Sequence, residues 1–302
     1  MLGLLLMLAA TPTPLDLVVP PELSAKTTNP EMSGVTWVPA LKRYLAVSDD
    51  TGILDTPTWH APWVFTFDET GRFDSTVTVI EGIELLDDGE SITPGPAGTF
   101  FLTTSHTISK KSGKSKPIRR QWLWLDLKEK RLISRGVFDL TTLISARAEE
   151  LDLEALAFRN GALFVGLKAP LDEDGHAAIM RIENIVTAFS AEKPPTLSAV
   201  VWSRPGLEVP DAKGALVPEG VTDLLFLPDG RLVLAANAPK SGKPDDGGAI
   251  WLLTKPDAKP VLLHRFPGLK PEGVTLSADG KHLVVVFDRG AEISQWVTLP
   301  LP

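Results

Sequence analysis

The 302 residues are 43% apolar and carry a formal charge of −8, ample for a large core and the wrong sign for general nucleic-acid binding. The chain has no cysteine, which excludes disulfides, thiolate metal sites, cysteine nucleophiles and a bacterial lipid-anchor site. Closed all-β folds often run to this length as one domain, so a single domain over 13–302 is expected.

Leu2 to Ala10 is short and apolar and leads into Thr-Pro-Thr-Pro. It is too short for a stable membrane anchor and reads as the apolar part of a secretory signal over residues 1–12. That reading predicts a periplasmic or extracellular protein with no membrane span in the mature chain. Leu15-Asp-Leu-Val-Val follows as a strand with no partner nearby. Then a pattern begins: a glutamate, a small residue close behind it, and an apolar strand. It recurs at Glu31, Glu90, Glu154, Glu219 and Glu272, at intervals of 59, 64, 65 and 53 residues. The spacing is too irregular for a tight solenoid and suits one four-stranded propeller blade per copy.

Each copy continues as a hairpin. The first runs from Gly34 through Ala40-Leu-Lys and returns as Tyr44 to Asp50; the second strand of the next copy ends at Ser105-His106. The turns Pro228-Asp-Gly230 and Ala278-Asp-Gly280 are hairpin signals, because Asp and Gly tolerate the backbone angles that a tight turn requires. Third strands are expected at Trp63–Phe67, Gln121–Leu125, Ala178–Ile182, Ile250–Leu253 and Gln295–Leu299. Fourth strands are expected at Ser75–Ile80, Leu132–Phe138, Leu197–Trp202 and Val261–Phe266. Ser109 to Arg120 reads as an insertion between the second and third strands of the second copy, and Thr141 to Leu151 as a helical turn or two. The last copy lacks a fourth strand. The N-terminal strand supplies it, closing the ring and removing exposed sheet edges. The expected fold is all-β, a five-bladed β-propeller, or six-bladed if an insertion hides a degenerate blade.

In a hairpin, the start of the first strand and the end of the second share an edge. The glutamates should therefore rim one face together with Asp49, Asp50, Ser105, His106, Lys168, Asn237, Asp288 and Arg289. So many carboxylates need compensation. They can accept backbone N–H groups of neighbouring blades, pair with Lys168, Arg289, Arg119 or Arg120, or hold a hard cation such as Ca²⁺. Glu31, Asp49, Asp50 and Glu154 are the expected metal ligands. His106 and Glu154 are the candidate acid–base residues, although for His106 a satisfied structural role is the favoured reading over catalysis. Trp59 and Trp63 flank a Pro-containing loop and could wall a pocket. No Gly-x-Ser-x-Gly elbow and no His-Glu-x-x-His occurs. Gly113-Lys-Ser115 lacks the earlier glycine of a phosphate loop, since Ile108 stands in its place.

With these residues in view, the chain resembles a bacterial family of β-propellers related to the phytase-like, or esterase-like, propeller proteins. Ser33-Gly-Val-Thr-Trp with Ser48-Asp-Asp50, Leu151-Asp-Leu-Glu-Ala-Leu-Ala with Leu163 to Pro170 and Ala177 to Met180, Ser105-His106 with Arg119-Arg120, and Pro271-Glu-Gly-Val-Thr with Asp288-Arg-Gly290 carry the likeness. Ala155 departs from it, since the family pattern has Gly there. The resemblance implies phosphoester or ester chemistry, although a shared fold does not establish a shared reaction.

Three functions follow as expectations. The first is an exported monomeric propeller that binds a small ligand on the glutamate-rimmed face, with Ca²⁺ as a possible cofactor. The second is a metal-dependent hydrolase of a phosphoester, ester or lactone. The third is a protein-interaction platform without chemistry.

Overall fold

The computed structural model describes residues 12–53, 56–108, 113, 116–139, 141, 143–144, 151–190, 197–211, 213–239, 247–290 and 292–302. Nearly all of the presumed signal segment, and most of Lys110–Pro117 and of Thr141–Leu151, lie outside the described residues. No helix among them is long and apolar enough to cross a membrane.

The chain is all-β, and each glutamate repeat opens an antiparallel meander. The first is Met32–Val38, Arg43–Ser48, Trp63–Phe67 and Thr78–Glu81. The second is Gly89–Pro94, Thr99–Thr104, Trp122–Lys128 and Arg131–Phe138. The third is Asp152–Arg159, Ala162–Ala169, Ile179–Ile182 and Ala199–Ser203, and the fourth Gly220–Phe226, Leu232–Asn237, Gly248–Leu253 and Val261–Phe266. The last has Lys270–Leu276, His282–Asp288 and Gln295–Pro300, and its outer strand is Leu15–Asp16, with Leu15 opposite Trp296. The N-terminal strand thus pairs where expected. The first strands touch in a circuit, Met32–Val38 on Gly89–Pro94, then Asp152–Arg159, Gly220–Phe226 and Lys270–Leu276, which returns to Met32–Val38.

Periodicity explains the core. Along Trp122-Leu-Trp-Leu125, successive side chains point to opposite faces, and both faces are apolar. Leu123 and Leu125 pack with Val47, Ile80 and Ile92, while Trp122 and Trp124 pack with Leu153 and Val165. Likewise Val233 and Ala235 face Val285 and Leu283, whereas Leu232 and Leu234 face Phe164 and Val221. Each sheet is therefore sandwiched between two others, as radial packing requires.

Three features differ from expectation. The outer strands of the first two meanders pair in parallel, Leu132 opposite Ile80, so these meanders form one eight-stranded sheet. Two short hairpins, Gly52–Ile53 with Thr56–His60 and Glu208–Pro210 with Leu216–Pro218, were not legible because runs this short set no period. The outer strands of the first and third meanders begin at Thr78 and Ala199, later than the apolar pattern suggests.

The small residue behind each glutamate marks the approach of one meander to the next. A Cβ on Gly34 would lie 2.6 Å from Ser91 Cα, and one on Gly220 would lie 2.0 Å from the Lys168 carbonyl oxygen. Gly220→Ala is expected to destabilise the fold by about 1–3 kcal/mol or more through this backbone overlap, measurable by urea denaturation. Ala155 is accommodated because Gly166 stands opposite it in register, where an added Cβ would meet Ala155 Cβ at 2.7 Å.

Candidate functional site

The glutamates sit at irregularities in the first strands. Register shifts between Gly89 and Ser91, between Leu153 and Ala155, and between Pro271 and Gly273 make Glu90, Glu154 and Glu272 the extra residues of β-bulges. In the fourth meander the shift falls between Val221 and Asp223, so Thr222 takes the equivalent place, and Glu219 lies three residues upstream.

Glu219 is consequently set apart from Glu90, Glu154 and Glu272, as is Glu31, which precedes the shift between Met32 and Val35 in the first meander. Glu219 is fully buried, its Oε2 accepts the Trp251 indole N–H at 2.8 Å, and its Oε1 has no partner among the described residues. Burial pushes its carboxyl up to about 8, against the pull of the Trp251 hydrogen bond and of Arg265. The repeat in sequence and the repeat in space do not coincide here.

Asp49, Asp88 and Glu90 converge. Each offers an oxygen, and these oxygens lie within 4.8 Å of one another. Asp49 follows the second strand of the first meander, its N–H on the Glu31 carbonyl at 3.0 Å. Asp88 comes from the loop ahead of Gly89–Pro94 and has φ 65°, a left-handed conformation that Asp tolerates better than most residues. Its Oδ2 accepts from Ser105 Oγ and from Thr107 Oγ1 at 3.0 Å, and Arg119 Nη1 lies 3.0 Å away. Burial raises the Asp49 carboxyl, as does its hydrogen bond to Asp88. Against its own burial, Asp88 is held low by that bond, by Ser105 and by Arg119. The two carboxyls are close enough to titrate as a pair, with Asp49 raised and Asp88 lowered. Glu90 is raised by burial first, then by Glu154, Asp49 and Asp88. Three oxygen donors are the chemistry that a hard cation takes.

Asp87, behind Asp88, is 1% exposed and accepts from Lys116 Nζ at 3.2 Å and Arg119 Nε at 2.9 Å, while His60 Nδ1 lies 3.3 Å away without a hydrogen bond. It anchors the described end of the basic insertion beside the trio. Neither Asp87 nor Asp88 stands in a periodic run; the only sequence signal was their position just ahead of Glu90.

A second group lies around Lys168. Its Nζ is 2.7 Å from Glu154 Oε1 and 3.7 Å from Glu272 Oε1. Asn237 Nδ2 donates to Glu272 Oε1 at 3.0 Å. Burial opposes the ammonium charge, but Glu154, Glu272, Asp152 and Glu90 outweigh it and hold the lysine well above its ordinary range. Burial raises Glu154 and Glu272, with Lys168 pulling both back.

The remaining expected residues take other partners. Glu31 is raised to about 7 by burial, then by Asp288 and Asp50, so it joins the acidic field without joining the trio. Asp50 Oδ1 instead accepts the Gly52 N–H at 2.8 Å, a local loop cap, and Glu154 is taken by Lys168. Of the expected metal ligands, only Asp49 falls within the trio among the described residues. Asp288 caps the N–H of Gly290 at 2.7 Å. Arg289 pairs with Glu292 and, at 3.8 Å, with Asp16, away from the glutamates. Ser105 is bound to Asp88. His106 is buried, its Nδ1 is 2.7 Å from the Thr104 carbonyl, and burial lowers it to about 4. The charged groups that reach it are Asp139 and Arg120, so at neutral pH it is an uncharged ring facing away from the trio's field. The side chain of Trp59 lies outside the described residues.

Beneath the glutamates, Asp223 ties the first strands together. Its Oδ1 accepts from Ser91 Oγ at 3.0 Å and its Oδ2 from the Val274 N–H at 2.8 Å, while Ser91 Oγ accepts the Leu156 N–H at 3.1 Å. The role expected of the glutamates, joining meander to meander, is played here by an aspartate that the repeat did not mark.

No family model matches the chain, and no curated protein matches it. Among solved structures it is similar to a thermostable family-43 glycoside hydrolase, at 13% identity and TM-score 0.53, over 91% of this chain and 93% of that one. It is also similar to a hypothetical protein from Leishmania major, at 9% identity and TM-score 0.52, over 96% and 90% of the two chains. At such identities the likeness speaks for the fold alone: a β-propeller-like all-β architecture.

Proposed function

We propose that this chain is an exported five-bladed β-propeller of the phytase-like kind that binds a small ligand on its carboxylate-lined face, with Ca²⁺ held by Asp49, Asp88 and Glu90. The observation that carries the reading is the convergence of these three side chains from two segments of different meanders, Asp49 from the first and Asp88 with Glu90 from the start of the second. Burial raises both the Asp49 and the Glu90 carboxyl, and a cation there would offset the negative charge that burial disfavours. Carboxylate oxygens are its natural ligands, and Arg119, 3.0 Å from Asp88 Oδ2, leaves the other oxygen of that carboxylate for it.

Calorimetric titration of Ca²⁺ into EDTA-treated protein is expected to show one site, with a rise in Tm lost in Asp49→Asn and Glu90→Gln. Both acids must release protons to bind, so affinity is expected to weaken as pH falls from 7.5 to 5. A Tm indifferent to EDTA and to added Ca²⁺ would sink the cation reading.

A metal-dependent hydrolase of a phosphoester, ester or lactone is the second reading. A bound cation would supply Lewis acidity there. Arg119, a partly exposed guanidinium beside the trio, is the observation in its favour, as a partner for negative charge on a substrate. Turnover in an esterase, phosphatase and lactonase panel, abolished by Asp49→Asn, would establish it.

A further inference from the structure

The group around Lys168 differs chemically from the trio. Two of its acceptors have no hydrogen-bond partner among the described residues: Glu154 Oε2 and Asn237 Oδ1, on residues that are 5% and 0% exposed. An unpaired buried acceptor costs about 1–3 kcal/mol, and one that persists asks for a reason. Beside them stands a donor with capacity left over. Of the three N–H groups of Lys168, one donates to Glu154 Oε1, and Glu272 lies at ion-pair range. The cluster thus offers unused acceptors and unused donors within one small volume.

That combination selects a ligand class. An anion would meet the Lys168 donors but also Glu154, Glu272, Asp152 and Glu90, which surround the lysine. A cation would find the acceptors but face the ammonium at their centre. A hydroxyl group donates and accepts at once, and adjacent hydroxyls can span neighbouring side chains. We propose that Glu154, Lys168, Asn237 and Glu272 form a binding site for a neutral polyol. One hydroxyl donates to Glu154 Oε2 and accepts from Lys168 Nζ, and its neighbour donates to Asn237 Oδ1. Both acceptors are closed to solvent, and the ligand approaches past the Lys168 side chain, the more exposed member of the Lys168–Glu154 pair at 16% against 7%. The proposal rests on reading this face as a small-molecule site, and it does not require the cation.

The test is saturation-transfer NMR on the full chain in EDTA, with myo-inositol, D-glucose and D-xylose as probes and methylammonium and inorganic phosphate as controls. Transfer to the C–H protons of at least one polyol is expected, with apparent affinity at least tenfold weaker in Glu154→Gln and in Asn237→Ala. Neither control should displace the polyol. The proposal is overturned if no polyol receives transfer, if methylammonium or phosphate competes, or if transfer survives unchanged in either variant. Should Glu154→Gln fail to fold, Asn237→Ala and the controls on the native chain decide alone. Because EDTA is present throughout, failure here and failure of the Ca²⁺ titration are separate results.

Discussion

Glu219→Gln is expected to stabilise the fold at pH 7 by roughly 3 kcal/mol and to flatten its pH dependence between 5 and 8. In the folded chain this carboxyl keeps its proton up to about pH 8, against an ordinary value of 4.5. Between those values the unfolded chain has released the proton and the folded chain has not. The unfolded state then binds fewer protons, so stability falls as pH rises. Glutamine has the same shape, carries no charge, and can still accept the Trp251 indole N–H that Oε2 takes at 2.8 Å. Urea denaturation of both proteins at pH 4.5 and 7.5 checks this. The gain should appear at 7.5 and vanish at 4.5, and a variant no more stable than the parent at 7.5 would refute the assignment.

Lys168→Met should do the reverse, costing about 3–5 kcal/mol at pH 7. Removing one ammonium leaves Glu154 and Glu272 buried with no cation within 4 Å among the described residues. Their pKa values, already raised by burial, rise further without Lys168. A raised carboxyl is penalised above its ordinary range and relieved below it. The loss should therefore be greatest at pH 7 and shrink toward pH 5 as both acids take up protons. Thermal melts at the two pH values measure it, and a methionine variant as stable as the parent at pH 7 would show that the ion pair contributes nothing net.

The architecture was legible because the signal was long. Alternating apolar residues such as Trp122 to Leu125 declare a strand buried on both faces, and five glutamates placed the strand starts. The site was legible only in part, for a reason visible at Glu219. Glu219-Gly-Val reads like Glu272-Gly-Val, yet the bulge in its strand falls three residues later, at Thr222. Side chains alternate with period two, so an odd displacement turns a residue to the other side of the sheet. Asp88 and Asp87 were missed because loop residues follow no period. Asp223 was missed because one acid in an apolar strand gives no hint of which neighbouring strands it will bind. His106 was placed correctly along the chain, but only its φ of 61° and its contact with Thr104 reveal that its ring is buried.

The ring is not equally strong around its circumference. Where the outer strands of the first two meanders pair in parallel, the buried Ile80 and Leu132 weld two units into one eight-stranded body. Where the N-terminal segment clasps the last meander, the pairing is two residues long and Leu15 is largely exposed. Glu31 and Asp49 belong to the welded half, as do Asp88 and Glu90, whereas Lys168, Asn237 and Glu272 belong to the meanders that follow it. The acidic trio therefore stands on one continuous eight-stranded sheet, and the lysine-centred group spans the three separate four-stranded sheets that follow it.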